Sequence, residues 1–82
     1  MHTEEIREQV KVGAVFDNNR ISPKWFVWKD RKYQVKEINY TWQSRQGEAR
    51  MLHFSVTDGS TLFEICLNMK TLLWFLEKVG LN

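Results

Sequence analysis

The chain has 82 residues, of which 43% are hydrophobic and 27% are charged, and this composition is typical of one small soluble domain. It contains a single cysteine, Cys66, and two histidines, which excludes an internal disulfide and leaves no set of zinc ligands. These counts predict a reducing, cytoplasmic location and no bound metal. No stretch approaches the roughly 20 apolar residues of a membrane span, and no signal peptide is visible, so no membrane association is predicted.

The amino-terminal residues change character at Val10. Residues 1–9 are polar, with Ile6 as the one large aliphatic residue after Met1, and they predict a flexible tail that precedes a single β domain at residues 10–82. From Val10 to Phe16 apolar residues alternate with other residues, which is the period of a half-buried strand. The Asp-Asn-Asn sequence at 17–19 then predicts a turn.

The next segment, ISPKWFVWKD, contains the only proline of the chain. Pro23 cannot donate a hydrogen bond to a neighbouring strand, so it suits the start of a strand or a sheet edge. Four apolar residues follow without alternation, from Trp25 to Trp28. Strand parity places Trp25 and Val27 on one face and Phe26 and Trp28 on the other. This strand is therefore either covered on both sides, or it shows an aromatic face to solvent or to a partner.

The longest predicted strand, at residues 32–42, changes phase in its middle. Tyr33 and Val35 share one parity, whereas the apolar residues from Ile38 onwards share the other. A regular strand would therefore place half of its apolar side chains on the wrong face. A β-bulge near Lys36-Glu37 would resolve this conflict and would bend the sheet.

The strongest local signal is the Asp58-Gly59 pair, which lies between two alternating runs in residues 51–67. A two-residue type I′ turn would pair Thr57 with Ser60. A four-residue loop at residues 58–61 would keep the same faces and shift the partners by two. In both cases the segment is a β-hairpin with one apolar face and one mixed face.

Residues 69–79 fit two structures. Asn68 as an N-cap, with apolar residues at helical spacing up to Val79, predicts a helix. The alternation of Leu72, Trp74 and Leu76 predicts another strand, and the preceding rhythm of strands and turns favours this second interpretation. The prediction is an all-β fold, an antiparallel meander of five to six strands forming a small barrel or strongly bent sheet, with a helix at 69–79 as the alternative.

Four sequence motifs, WFVW, RKYQVKEI followed by Trp42, HFSVTDGSTLFEICLN and TLLWFL, together resemble a family of small bacterial all-β domains of unknown function. Members of that family occur alone or as a terminal module of proteins related to Y-family DNA polymerases. The resemblance covers residues 10–79. It implies an all-β module, a link to DNA damage tolerance and a DNA-polymerase-like protein as a partner, and it brings no established catalytic residues.

Cys66 and His53 are the residues with nucleophilic chemistry. In the shifted hairpin register they lie opposite each other, and a thiol beside an imidazole can ionise. No Gly-rich turn or helix start offers an oxyanion site nearby, so a buried, inert cysteine is favoured. In the unshifted register His53 faces Glu64 as a cross-strand polar pair. The glycines are isolated and form no phosphate loop. The chain is therefore predicted not to be an enzyme and to need no cofactor.

Positive charge is concentrated in residues 18–36, where six basic residues accompany one acidic residue, Asp30. Small β-barrels that bind single-stranded nucleic acid combine aromatic side chains, which stack on bases, with basic side chains, which contact phosphates. A Trp-rich strand of a small domain is also commonly its core. The predicted ligand-binding residues are Lys24, Trp25, Trp28, Lys29, Arg31 and Lys32.

This pattern predicts a non-enzymatic accessory binding module for single-stranded nucleic acid. The alternative is a protein-protein interaction module that acts through an aromatic face or an exposed sheet edge, because Trp, Tyr and Arg are favoured at protein interfaces. The excess of basic residues around the aromatic ones suits an anionic ligand, which a protein interface would not require.

Overall fold

The computed structural model describes residues 3–81, which form one antiparallel sheet of seven strands and no helix. The strands are β1 (Thr3–Asp17), β2 (Arg20–Trp28), β3 (Arg31–Gln34), β4 (Glu37–Gln46), β5 (Ala49–Thr57), β6 (Thr61–Asn68) and β7 (Trp74–Leu81). Their order in the sheet is β3-β2-β1-β7-β6-β5-β4. The predicted all-β antiparallel fold is confirmed, with seven strands instead of five to six and with no closure into a barrel.

The amino-terminal segment is part of the sheet. Residues 3–9 belong to β1, and β1 pairs with β7 from Thr3 opposite Gly80 to Val10 opposite Trp74. The predicted flexible tail is therefore wrong for residues 3–9, while the first two residues lie outside the described part. The polar side chains of this segment gave no sign of a strand. Backbone hydrogen bonds to β7, at the other end of the chain, hold the segment in the sheet.

The predicted strand at 32–42 is two strands that lie at opposite edges of the sheet, β3 and β4. Val35 and Lys36 connect them. The Val35 N–H donates to the carbonyl of Lys24 in β2 at 2.9 Å, and the Lys36 N–H donates to the carbonyl of Thr57 in β5 at 2.8 Å. The change of phase in the sequence therefore marks a crossing from one sheet edge to the other, not a bulge at Lys36-Glu37.

The β5–β6 hairpin has the shifted register, with Thr57 opposite Leu62, which confirms the four-residue loop at 58–61 and excludes the type I′ turn. Within the loop only Gly59 has a positive φ, 106°. The Asp58 Oδ1 accepts hydrogen bonds from the backbone N–H groups two and three residues later, at 3.0 and 2.8 Å. Partial burial raises the pKa of Asp58, but these hydrogen bonds outweigh it and lower the pKa below its ordinary value.

The carboxyl-terminal strand begins at Trp74, so the strand interpretation of 69–79 is confirmed from that residue on and the helix is wrong. The Asn68 Oδ1 accepts hydrogen bonds from the N–H groups of Lys70 and Thr71 and holds a tight loop before β7. Trp74 pairs with β1 on one side and with β6 on the other. A helix of about ten residues is marginal without packing, and a strand between two neighbours satisfies its backbone on both sides.

The hydrophobic core lies on the inner face of a strongly bent sheet. Phe26 of β2 contacts Phe63 of β6 with ring centroids 4.9 Å apart, although β1 and β7 separate these strands in the sheet. The sheet must therefore curl around the core. The buried residues of this main cluster are Val10, Phe26, Phe54, Val56, Phe63, Ile65 and Leu76, and a second buried cluster consists of Ala49, Met51 and Cys66. Within the part of the chain that the structure describes, no helix has the length and hydrophobicity that crossing a membrane requires.

Candidate functional site

The pairing of β1, β2 and β3 brings basic and aromatic side chains together on the outer face of the sheet. Trp25 lies opposite Gly13 on one side and Gln34 on the other. In the next row Val27 lies between Lys11 and Lys32. Side chains of directly paired residues share a face of the sheet, and Phe26, of the other parity, is in the core. We call this surface the Trp25 face; its members are Lys11, Gly13, Trp25, Val27, Lys32 and Gln34.

The Trp25 indole covers Gly13. A Cβ atom at position 13 would overlap the Cε2, Nε1 and Cζ2 atoms of this ring. The Lys32 Nζ lies 4.8 Å from the centre of the indole, which is the range of a cation–π contact. Trp25 is half-buried, so its ring is held in place by the strand beneath it and stays accessible beside an ammonium group.

The predicted ligand residues divide between two regions of the molecule. Trp25 and Lys32 lie on the Trp25 face and Lys24 precedes Trp25 on β2, whereas Trp28 packs against the core. Lys29 lies over the Trp28 ring, with its Nζ 4.9 Å from the centroid. The remaining residue, Arg31, lies opposite Trp28 with its guanidinium 5.7 Å from the centre of the Tyr33 ring. Trp28, Lys29 and Arg31 therefore form a rim of the core, with two positive charges, and are not part of the Trp25 face.

Lys11 belongs to the Trp25 face and was missed by the prediction. It lies on β1, outside the basic segment at 18–36, and only strand pairing brings it next to Val27. The alternation of residues 10–16, which points Lys11 and Gly13 away from the core, was the available signal. Lys24 is the extra residue where the β1–β2 register shifts, and it is exposed. The Trp25 face and Lys24 together carry three lysines and no carboxylate.

His53 and Cys66 lie opposite each other on a different part of the outer face. The predicted pairing of His53 with Glu64 is wrong, because the register is shifted. Instead the His53 Nε2 lies 2.7 Å from the Ser44 Oγ, and the imidazole stacks on Trp42 with ring centres 5.0 Å apart. An aromatic ring and a hydroxyl group fix the orientation of the imidazole without providing an acid that would activate it.

Cys66 is fully buried, and its Sγ donates a hydrogen bond to the Glu77 Oε1 at 3.3 Å. Burial, followed by the charge of Glu77, raises the pKa of the thiol to about 12. A thiol with this pKa stays protonated at neutral pH, so it is a poor nucleophile. Among residues 3–81 no group of three His, Cys, Asp or Glu residues is placed to hold a metal ion.

We expect native Cys66 to react with a disulfide reagent only as fast as the protein opens, because the reactive thiolate is both rare and inaccessible. The measurement is the labelling rate at neutral pH in buffer and in increasing urea. The unfolded chain in high urea is the control and should label at the rate of a free cysteine. Rapid labelling in buffer, with the sheet intact, would contradict the inert thiol and would return Cys66 to the candidate reactive groups.

The fold and the surface define a small antiparallel all-β domain with a basic aromatic face. A family model described as a domain of unknown function, DUF6504, matches residues 1–74. The chain belongs to this family. The match spans β1 to β6 and ends at the first residue of β7. No curated protein and no solved structure matches the chain.

Proposed function

We propose that this protein is a non-enzymatic binding module that binds single-stranded nucleic acid on the Trp25 face. The observation that carries the proposal is the placement of the Lys32 ammonium group over the Trp25 indole, with Lys11 in the adjacent row and no carboxylate in either row. A nucleotide presents a flat base next to a phosphate. An aromatic ring flanked by ammonium groups matches both parts.

On binding, a base would replace the Lys32 ammonium group as the partner of the Trp25 indole. The Lys32 ammonium now lies over the ring, and a base that stacks there would displace it towards the adjoining phosphate. Stacking of one base on an aromatic side chain contributes about 1–3 kcal/mol. Among the described residues neither Lys11 nor Lys32 takes part in a salt bridge, so both ammonium groups are available to phosphates.

The proposed process is DNA damage tolerance in the cytoplasm of a bacterium, with a DNA-polymerase-like protein as a partner. The support for this part is the resemblance of the WFVW, HFSVTDGSTLFEICLN and TLLWFL motifs to modules of such proteins. The protonated, buried Cys66 supports the non-enzymatic part of the proposal.

The test is the binding of fluorescent oligo(dT) by the wild type and by lysine variants over a range of salt concentrations. Replacing Lys11 or Lys32 with alanine should weaken binding and flatten the log-log salt dependence by about 0.7 for each phosphate that the variant no longer neutralises. Lys29→Ala is the matched control, because it removes the same charge and also a cation–π contact, but on the core rim. We expect it to leave the affinity and the slope nearly unchanged.

Trp25→Leu should lower the affinity by about 1–3 kcal/mol with little change of slope, provided that amide NMR shows a folded sheet. An equal effect of Lys29→Ala and Lys32→Ala would argue against a site on the Trp25 face. The same conclusion would follow if oligo(dT), duplex DNA and RNA oligomers all left the amide signals of Lys11, Trp25 and Lys32 unshifted at low salt.

A further inference from the structure

The two edges of the sheet leave a cleft between them, separate from the Trp25 face. β3 covers only residues 25–28 of β2, so residues 20–23 have no neighbouring strand on that side. β4 is the opposite edge of the sheet. A cavity of about 500 Å³ separates the two segments. Among the residues that line it are Ile21 and Ser22 on β2, and Ile38 and Thr41 on β4.

Both sides of this cleft are strand edges without a neighbouring strand, residues 20–23 of β2 and residues 38–43 of β4, and among these residues only Pro23 has no N–H donor. Adjacent strands are antiparallel throughout the sheet, and the strand order therefore makes β2 and β4 run in opposite directions. One extended segment in the cleft would be antiparallel to one wall and parallel to the other. Such a strand would pair with the free N–H and C=O groups of both walls and close the sheet.

β4 has few of the features that normally prevent an edge strand from accepting another strand. Proteins protect exposed edges with charges, proline, β-bulges or very short strands. The other edge strand, β3, is four residues long and carries Arg31 and Lys32. β4 is ten residues long, and its central residues 38–44 contain neither a charge nor a proline. The extra residue at Asn39 bends β4 but leaves the following six or more residues regular.

The side chains that line the cleft indicate what kind of strand would fit. Its apolar lining is Ile21, Ile38, Leu52, Phe54 and Met69. The charged residues that line it are Arg20 and Arg50, both exposed, and no carboxylate lines it. A strand with alternating side chains would place apolar groups on the floor and acidic groups near the arginines.

We infer that the cleft between β2 and β4 binds an extended, acidic peptide segment of another protein by strand addition. The backbone argument favours a peptide over a nucleic acid, because two facing rows of N–H and C=O groups match the repeat of a strand and not that of a sugar-phosphate chain. A second copy of this chain fits less well, since it would add its own arginines to a cleft that already holds Arg20 and Arg50.

The experiment uses a short capped peptide of alternating valine and glutamate, titrated into the full chain and followed by amide NMR. We expect shifts and slower hydrogen exchange of the amides of residues 20–22 and 38–43. The same peptide with alternate backbone nitrogens methylated should not bind, because it lacks the N–H donors that pair with one edge. A peptide of alternating valine and lysine should bind several-fold more weakly.

Arg20→Gln and Arg50→Gln should each weaken binding of the valine-glutamate peptide by about threefold, the range of an exposed ion pair. Lys78→Gln is the matched control, because it removes one exposed positive charge on β7, outside the cleft. It should leave the affinity unchanged.

Four results would overturn this inference. The first is an equal affinity for the methylated peptide, which would exclude pairing through the backbone. The second is a concentration-dependent dimer of the protein alone that protects the same amides, which would make a second copy the occupant. The third is a larger response of the amides of residues 20–22 and 38–43 to oligo(dT) than to the peptide, which would make the cleft part of a nucleic-acid site. An absence of shifts with every peptide would equally reject strand addition.

Discussion

Replacing Phe54 with alanine is expected to lower the free energy of unfolding by about 3–5 kcal/mol, which is the usual cost of removing a buried aromatic ring. Phe54 is 1% exposed and contacts the Trp74 ring with centroids 5.6 Å apart. It lies on β5 and Trp74 on β7, so the ring helps to hold the bent sheet around its core. A small domain has a total stability of about 5–15 kcal/mol, and this single change would remove a large part of it.

Urea denaturation of the purified variants measures this effect. Phe16→Ala is the matched control, because it deletes the same side chain at a position that is 67% exposed. Its cost should stay near the roughly 0.5 kcal/mol typical of surface changes. Equal costs at the two positions would contradict the placement of Phe54 at the centre of the core. If Phe54→Ala does not fold, Phe54→Leu offers a smaller deletion in the same direction.

Gly13→Ala is expected to destabilise the wild-type protein and to stabilise a protein that lacks the Trp25 ring. In the wild type the new Cβ overlaps the indole, and overpacking of this kind costs about 1–3 kcal/mol. Trp25→Ala removes all three of the atoms that lie nearest to this Cβ position. In this background Gly13→Ala should raise the free energy of unfolding by about 0.5–1 kcal/mol, because alanine loses less conformational entropy on folding than glycine does.

A double-mutant cycle measures this change of sign. It compares the free energies of unfolding of the wild type, Gly13→Ala, Trp25→Ala and the double variant. Position 13 and position 25 should be coupled by more than about 1.5 kcal/mol. Additive effects would mean that the indole does not lie on Gly13, and the Trp25 face would lose its support. In the wild-type background Gly13→Ala should also reduce binding of oligo(dT), because it displaces the ring on which the bases are proposed to stack.

Local pattern was sufficient where a strand has one buried face and its neighbour in the sheet is also its neighbour in sequence. The alternation around Phe54 and Phe63 predicted the hairpin and its apolar face, and parity placed Trp25 and Phe26 on opposite faces, as the structure has them. The loop length at 58–61 remained open, because both alternatives bury the same side chains and differ in which residues pair across the hairpin.

Local pattern failed where backbone pairing, not side-chain burial, decides the structure. Residues 3–9 form a strand because β7 offers a free edge, and their polar side chains carry no sign of it. The phase change at Val35 and Lys36 was visible, but a bulge and a crossing between sheet edges produce the same pattern of side chains. Only the full strand order separates these two cases.

The candidate site shows the same division. From the sequence alone came an all-β domain with a basic, Trp-rich strand, because composition and period are properties of neighbouring residues. Only the tertiary structure decided that Lys11 joins Trp25 and Lys32, that Trp28 and Arg31 belong to the rim of the core, and that β2 and β4 face each other across a cleft. Each of these depends on contacts between strands distant in sequence, and hydrophobic periodicity carries no information on which strands pair.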